Sequence, residues 1–254
     1  MALFQSGNPT LSEKIFRKSI DNTYDGTMTV RGSVTKFGFL LFMVLAGASY
    51  SWHAYMQQQT SVVKTTMLVG LFGGLVMAII MIFKMSWARF LAPLYAVLEG
   101  LFLGGLSAIV NDMLAVKYPN IIMQAVGLTF GVAIAMFLLY NFRIIKPTQK
   151  FKSIVIGATM GIAFFYLITM VLRMFNVDMP FTYNSSPLGI GISLFIVAIA
   201  ALNLIMDFDM LEQGEAMGAP KHMEWYGAFT LLVTLVWLYL EILKLLMRIG
   251  SSRN

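Results

Sequence analysis

The chain has 254 residues, 58% of them hydrophobic and 12% charged, with a mean hydropathy of +0.76. Such a composition excludes an ordinary soluble globular domain. It holds no cysteine, which excludes disulfides and thiolate metal sites, and its net charge of +6 is read as loop charge beside anionic lipid, not as a nucleic-acid surface.

Residues 1–33 are polar and lack the apolar core of a signal peptide. Thr10 and Glu13 have the spacing of a capping box. Leu11, Ile15, Phe16 and Ile20 then fall along one side of a short amphipathic helix, with Lys14, Arg17 and Lys18 elsewhere. Such a helix is expected to lie on the inner membrane surface, a solvated tail being the alternative. Seven apolar stretches follow, at 36–57, 65–84, 90–111, 121–141, 153–174, 188–211 and 226–248. About 20 apolar residues in a helix cross a bilayer. Pro147 breaks the chain between the fourth and fifth, and VDMPFTYNSSP separates the fifth from the sixth. The expected architecture is therefore all-α and integral to the membrane: a cytoplasmic segment 1–33, a seven-helix membrane domain 34–250 and a tail 251–254.

Four pairs of glycines stand four residues apart: Gly70 and Gly74, Gly100 and Gly104, Gly127 and Gly131, Gly157 and Gly161. In lipid, small residues at this spacing let helices approach closely, so all four pairs are expected at helix contacts. Orientation follows from the basic residues. Twelve Lys and Arg fall on the N-terminal side and its alternate loops, and six on the other, with RIIKPTQKFK carrying much of the excess. The N-terminus is expected in the cytoplasm and the C-terminus outside.

Carboxylates inside the apolar stretches are the candidates for function, because each costs several kcal/mol there unless it faces protein or water. They are Asp207 and Asp209 in LNLIMDFDMLEQG, Glu241 in LVWLYLEILKLL and Glu99 in LYAVLEGLFLGG. Two carboxylates in one low-dielectric site cannot both ionise cheaply, so they hold one proton between them. Loss of that proton sets them against each other, and a hard cation such as calcium can replace it. Each acid also has a structural reading. Glu241 stands three residues before Lys244, the spacing of an intrahelical ion pair. Asp207 and Asp209 suit the wet end of a helix, and Glu99 suits either an interfacial position or support of the other acids. His53 and His222 are expected in loops and are too few for a metal site. Lys244 near the end of the last span does not make a retinal protein, since the third span lacks a central counter-ion. Ser107 has no histidine within a span to activate it as a protease nucleophile.

The sixth and seventh spans resemble those of the Bax inhibitor-1/YccA family, also called the transmembrane Bax-inhibitor-motif family. The resemblance rests on Asp207-Phe208-Asp209-Met210-Leu211 and Leu238-Tyr239-Leu240-Glu241. The stretches MTVRGSVTK, YAVLEGLFLGGLSA, QAVGLTFGV and GAPKHMEWYGAFTLLVTLVWLYLEIL are similar to its bacterial branch, over about residues 28–250. It implies a fold with the seventh helix central among six others. It also implies a passive calcium leak closed by two facing carboxylates, here Asp207 and Glu241, with Asp209 in the polar place two residues on. Independently of the resemblance, the carboxylate chemistry allows calcium at Asp207, Asp209 and Glu241, with Glu99 and Lys244 as supporting residues. Two features depart from the family pattern. The second acid is Glu where the family has Asp, and the link EQGEAMGAPKHMEW is longer. A seventh helix starting near Trp225 places Glu241 about 24 Å along it. Contact between the acids then requires the sixth helix to run on past Glu212, or the seventh to start later. The alternative role is that of a non-transporting regulator that binds a membrane-bound protease or stress and cell-death proteins. Neither role is enzymatic or needs a cofactor. The branch resembled implies a bacterial inner membrane.

Overall fold

The computed structural model describes residues 26–114, 116, 118–177 and 186–252. The expected surface helix with Thr10 and Glu13 lies outside them. Seven helices form the described chain: α1 Val30–Met56, α2 Thr60–Phe83, α3 Ala88–Leu114, α4 Ile121–Asn141, α5 Gln149–Met174, α6 Pro187–Ala216 and α7 Met223–Ser252. A 3-10 turn, Met85–Trp87, leads into α3. All seven helices are long and apolar enough to cross a membrane, and no strand occurs among the described residues. The fold class is therefore the expected one.

Six of the seven helices begin before the apolar stretches that announced them, and polar caps mark three of those starts. Thr29 starts α1 by accepting the Gly32 N–H on its hydroxyl at 3.0 Å. Thr148, directly after Pro147, does the same for α5 through the Phe151 N–H at 3.3 Å. In α6, Pro187 occupies the first helical position, where a missing N–H costs nothing, and Ser186 caps the Gly189 N–H. That helix runs on past Glu212 to Ala216. Gly218 then takes the left-handed conformation (φ +68°) that closes a helix C-terminus.

The chain divides into two compact units. Among the described residues, one holds 26–114 and 210–233, and so α1, α2, α3, the end of α6 and the start of α7. The other holds 116, 118–177, 186–209 and 234–252, with α4, α5 and the remainder of α6 and α7. In the first unit, glycines set the packing of α3. A Cβ on Gly100 would strike the Val44 carbonyl of α1, one on Gly104 the backbone of Ala48, and one on Gly70 the backbone of α3 at Leu98 and Phe102. The glycine pairs of α2 and α3 thus lie at helix contacts, as expected. Those of α4 and α5 do not. A Cβ on Gly127, Gly131, Gly157 or Gly161 would meet open space. Spacing alone does not say which side of a helix is covered, and these glycines sit on uncovered sides.

A second device in this unit ties the start of α1 to the link between α6 and α7. Thr27 and Pro220 form an isolated antiparallel bridge, with the Met28 N–H donating to Ala219 O at 2.7 Å and the Lys221 N–H to Gly26 O at 2.9 Å. Beneath it lies Glu224, in the first turn of α7 and fully buried. Its carboxylate accepts from the Thr29 N–H (2.9 Å), the Thr29 hydroxyl (3.0 Å) and the Lys221 ammonium (2.7 Å), and it also pairs with Lys36. A charge removed from water needs such a set of donors.

Candidate functional site: acids of the last two spans

Asp207 and Asp209 lie on α6, Glu241 and Lys244 on α7, and Lys152 and Tyr166 on α5, all within one unit. The helical period decides how the acids of α6 are used. Residues two apart are turned about 200° from each other, so Asp207 and Asp209 face different neighbours. Asn203, one turn before Asp207, shares its side of the helix. Its amide donates to the Thr159 hydroxyl of α5 at 2.8 Å and to Ile199 O at 2.9 Å. Asp207 itself is 0% exposed. Phe208 faces α4, against the rings of Phe137 (5.4 Å) and Tyr140 (6.0 Å).

Asp209 pairs with Lys152, Nζ to Oδ2 2.5 Å, and both side chains are nearly buried. Glu241 is 1% exposed and is held from two directions. The Tyr166 hydroxyl donates to both of its oxygens at 2.9 Å, and the Lys244 ammonium reaches Oε1 at 2.9 Å. Lys244 also lies 4.6 Å from the centre of the Tyr166 ring, a cation–π contact that fixes the third side of the triangle. The intrahelical pair anticipated from spacing is therefore formed, and Tyr166 is an additional partner. At the far end of α7, Arg248 donates to the Gly189 carbonyl of α6.

Asp207, Asp209, Glu241 and Lys244 are thus brought into one unit, each acid deeply buried. Among the described residues, no three His, Asp or Glu side chains are gathered closely enough to hold a metal ion, so Asp207, Asp209 and Glu241 do not form a ready calcium cage. Glu99 belongs to the other unit. It lies on α3 and points at α2, its Oε2 only 3.2 Å from where a Cβ on Gly74 would sit, with Tyr95 one turn back as its hydrogen-bonding neighbour. Of the histidines, His53 is in the last turn of α1, bonded to Gln57 at 2.9 Å, and not in a loop; His222 immediately precedes α7.

Lys152, Tyr166, Asn203 and Glu224 escaped the sequence reading. Lys152 and Glu224 fell just outside the apolar stretches at 153–174 and 226–248, and so passed for loop charges. Helices that begin at 149 and 223 bring both inside. Tyr166 and Asn203 carry no charge, and nothing in an apolar run marks them as partners of an acid.

The family model described as Bax inhibitor 1 like covers residues 8–251. No curated protein and no solved structure matches the chain.

Proposed function

The chain belongs to the Bax inhibitor 1 like family, and on that footing we propose that it is a pH-sensitive cation leak, with calcium as the ion, in a bacterial inner membrane. The observation that carries this reading is the burial of Asp207 and Glu241, at 0% and 1% exposure, within the two spans that resemble the family's acid-bearing helices. A carboxylate kept at such depth costs several kcal/mol unless partners offset it, so its retention argues for a use.

In this reading Asp207 and Glu241 share one proton in the closed state. Loss of that proton at higher pH leaves two like charges in one buried site, with Lys244 beside Glu241. Helices α6 and α7 then separate and open a path lined by oxygen ligands that suit a hard cation. Asp209 stands outside the shared proton, because Lys152 neutralises it and anchors α6 to α5. Tyr166 donates to Glu241 whichever oxygen carries charge, and so keeps the acid in place through the change.

The test is calcium flux through vesicles that contain the purified protein, followed over a pH series against empty vesicles. A flux that rises with pH through a sigmoid supports the reading. Flux equal to that of empty vesicles at every pH overturns it and leaves the regulator that binds a membrane protease or stress proteins.

A further inference from the structure

The far ends of α1 and α3 and the start of α2 enclose a cavity of about 510 Å³. That is within the range of small-molecule sites, roughly 300–1,000 Å³. It is remote in sequence from Asp207, Asp209, Glu224 and Glu241. Its floor is apolar and firm: Val63 and Ala108 are buried in a cluster with Ala54, and Trp52 and Tyr55 pack against that cluster. Its polar wall has one charge of each sign, Asp112 on α3 and Lys64 on α2.

The two charges do not neutralise each other. Among the described residues neither Asp112 nor Lys64 forms an ion pair. Asp112 is oriented by Tyr55, whose hydroxyl donates to Oδ1 at 2.5 Å and in turn accepts from the Asn111 amide at 3.1 Å. One carboxylate oxygen is thus fixed by the protein, and Oδ2 keeps its lone pairs for another donor. A simple cation would be attracted by Asp112 and repelled by Lys64, and a simple anion the reverse. A molecule with an ammonium and an anionic group a few bonds apart satisfies both.

The surroundings name the source of such a molecule. The cavity opens at the ends of membrane-spanning helices. Met56, on its rim, is 67% exposed, and Trp52 and Tyr55 are aromatic residues at the end of a span, where such side chains mark the lipid headgroup level. We propose that this cavity binds a phosphoethanolamine group, its ammonium on Asp112 and its phosphate on Lys64, presented by the headgroup of phosphatidylethanolamine with the apolar floor against the start of the lipid chains.

Native mass spectrometry of the full chain in detergent, titrated with phosphatidylethanolamine, phosphatidylcholine and phosphatidylglycerol of equal chain length, tests the assignment. Phosphatidylcholine has no ammonium N–H for Asp112, and phosphatidylglycerol has no cation. Retention of phosphatidylethanolamine is expected to exceed that of either by about tenfold, the scale of one charge-assisted hydrogen bond. Asp112→Asn and Lys64→Gln are each expected to abolish the preference, whereas Lys64→Arg keeps it; both sites are exposed, and unchanged melting in detergent verifies the fold. Soluble O-phosphoethanolamine supplies the second arm. Competition by it at low concentration, with no preference among the three lipids, supports the same headgroup chemistry and assigns the site to a free ligand. Equal retention of all three lipids without such competition, or a preference that survives both Asp112→Asn and Lys64→Gln, overturns the proposal.

Discussion

The buried pair of Lys152 and Asp209 shows how little a formal charge count says about a residue. Lys152 counts toward the basic bias of the inner loops, yet its ammonium is nearly withdrawn from water and rests on one carboxylate. Removing one partner of such a pair strands the other. Asp209→Asn is therefore expected to destabilise the fold by about 3–5 kcal/mol, whereas Lys152→Met combined with Asp209→Asn recovers most of that loss. Thermal unfolding in detergent reads the order directly, and a double variant that melts below the single one would refute a stranded charge. Glu224 poses the same question with different neighbours, since Lys36 and Lys221 both retain contact with water. Glu224→Gln is expected to cost less, about 1–3 kcal/mol, chiefly through weakened hydrogen bonds. The sequence exposes the acids of the last two spans because charge is rare there. It hides Lys152 and Glu224 because both sit within four residues of a helix start, where hydropathy changes from polar to apolar and capping, not apolarity, sets the boundary.

At the scale of elements, seven spans are legible because a bilayer demands long apolar helices and little else. Which side of each helix is covered is not legible, as the glycines show. Gly100 and Gly127 have the same sequence pattern, but only Gly100 meets another backbone. Gly100→Ala is expected to force α1 and α3 apart and lower the melting temperature. Gly127→Ala is expected to raise stability by up to about 1 kcal/mol, because Ala is the better helix former and nothing obstructs its methyl group. A sharper comparison lies within α1. A Cβ on Gly32 would collide with the Glu224 carboxylate, which its several donors hold in place, while a Cβ on Gly38 meets nothing. Gly32→Ala must break that set of bonds, and Gly38→Ala must not. Melting curves of the two variants with equal loss would show that Glu224 shifts freely and that the tie between α1 and the start of α7 is weak.

For the whole molecule, orientation and gating are the properties on which the functional reading depends. The basic bias predicts an inside N-terminus and an outside C-terminus, and the absence of native cysteine makes labelling clean. A cysteine at position 254 is expected to react with an impermeant reagent added outside; reaction from the cytoplasmic side alone would reverse the topology. Gating then rests on coupling between α6 and α7. If Asp207 and Glu241 share a proton when the path is closed, Asp207→Asn or Glu241→Gln removes the repulsion that opens it. Either variant is expected to flatten the pH dependence of calcium flux in vesicles. Glu241→Gln keeps acceptor and donor atoms for Tyr166 and Lys244, so the triangle around it remains bonded and the change isolates the charge. Lys244→Met provides the control, because it removes a partner of Glu241 without removing the acid. It is expected to move the pH midpoint of flux and to leave its steepness intact. The pair itself is tested by non-additivity. Two residues that share one proton act as a unit, so the double variant is expected to match either single variant. Additive effects on the pH profile, or a wild-type profile in both single variants, would mean that each acid titrates alone, with Glu241 serving only its local pair with Lys244 and Tyr166.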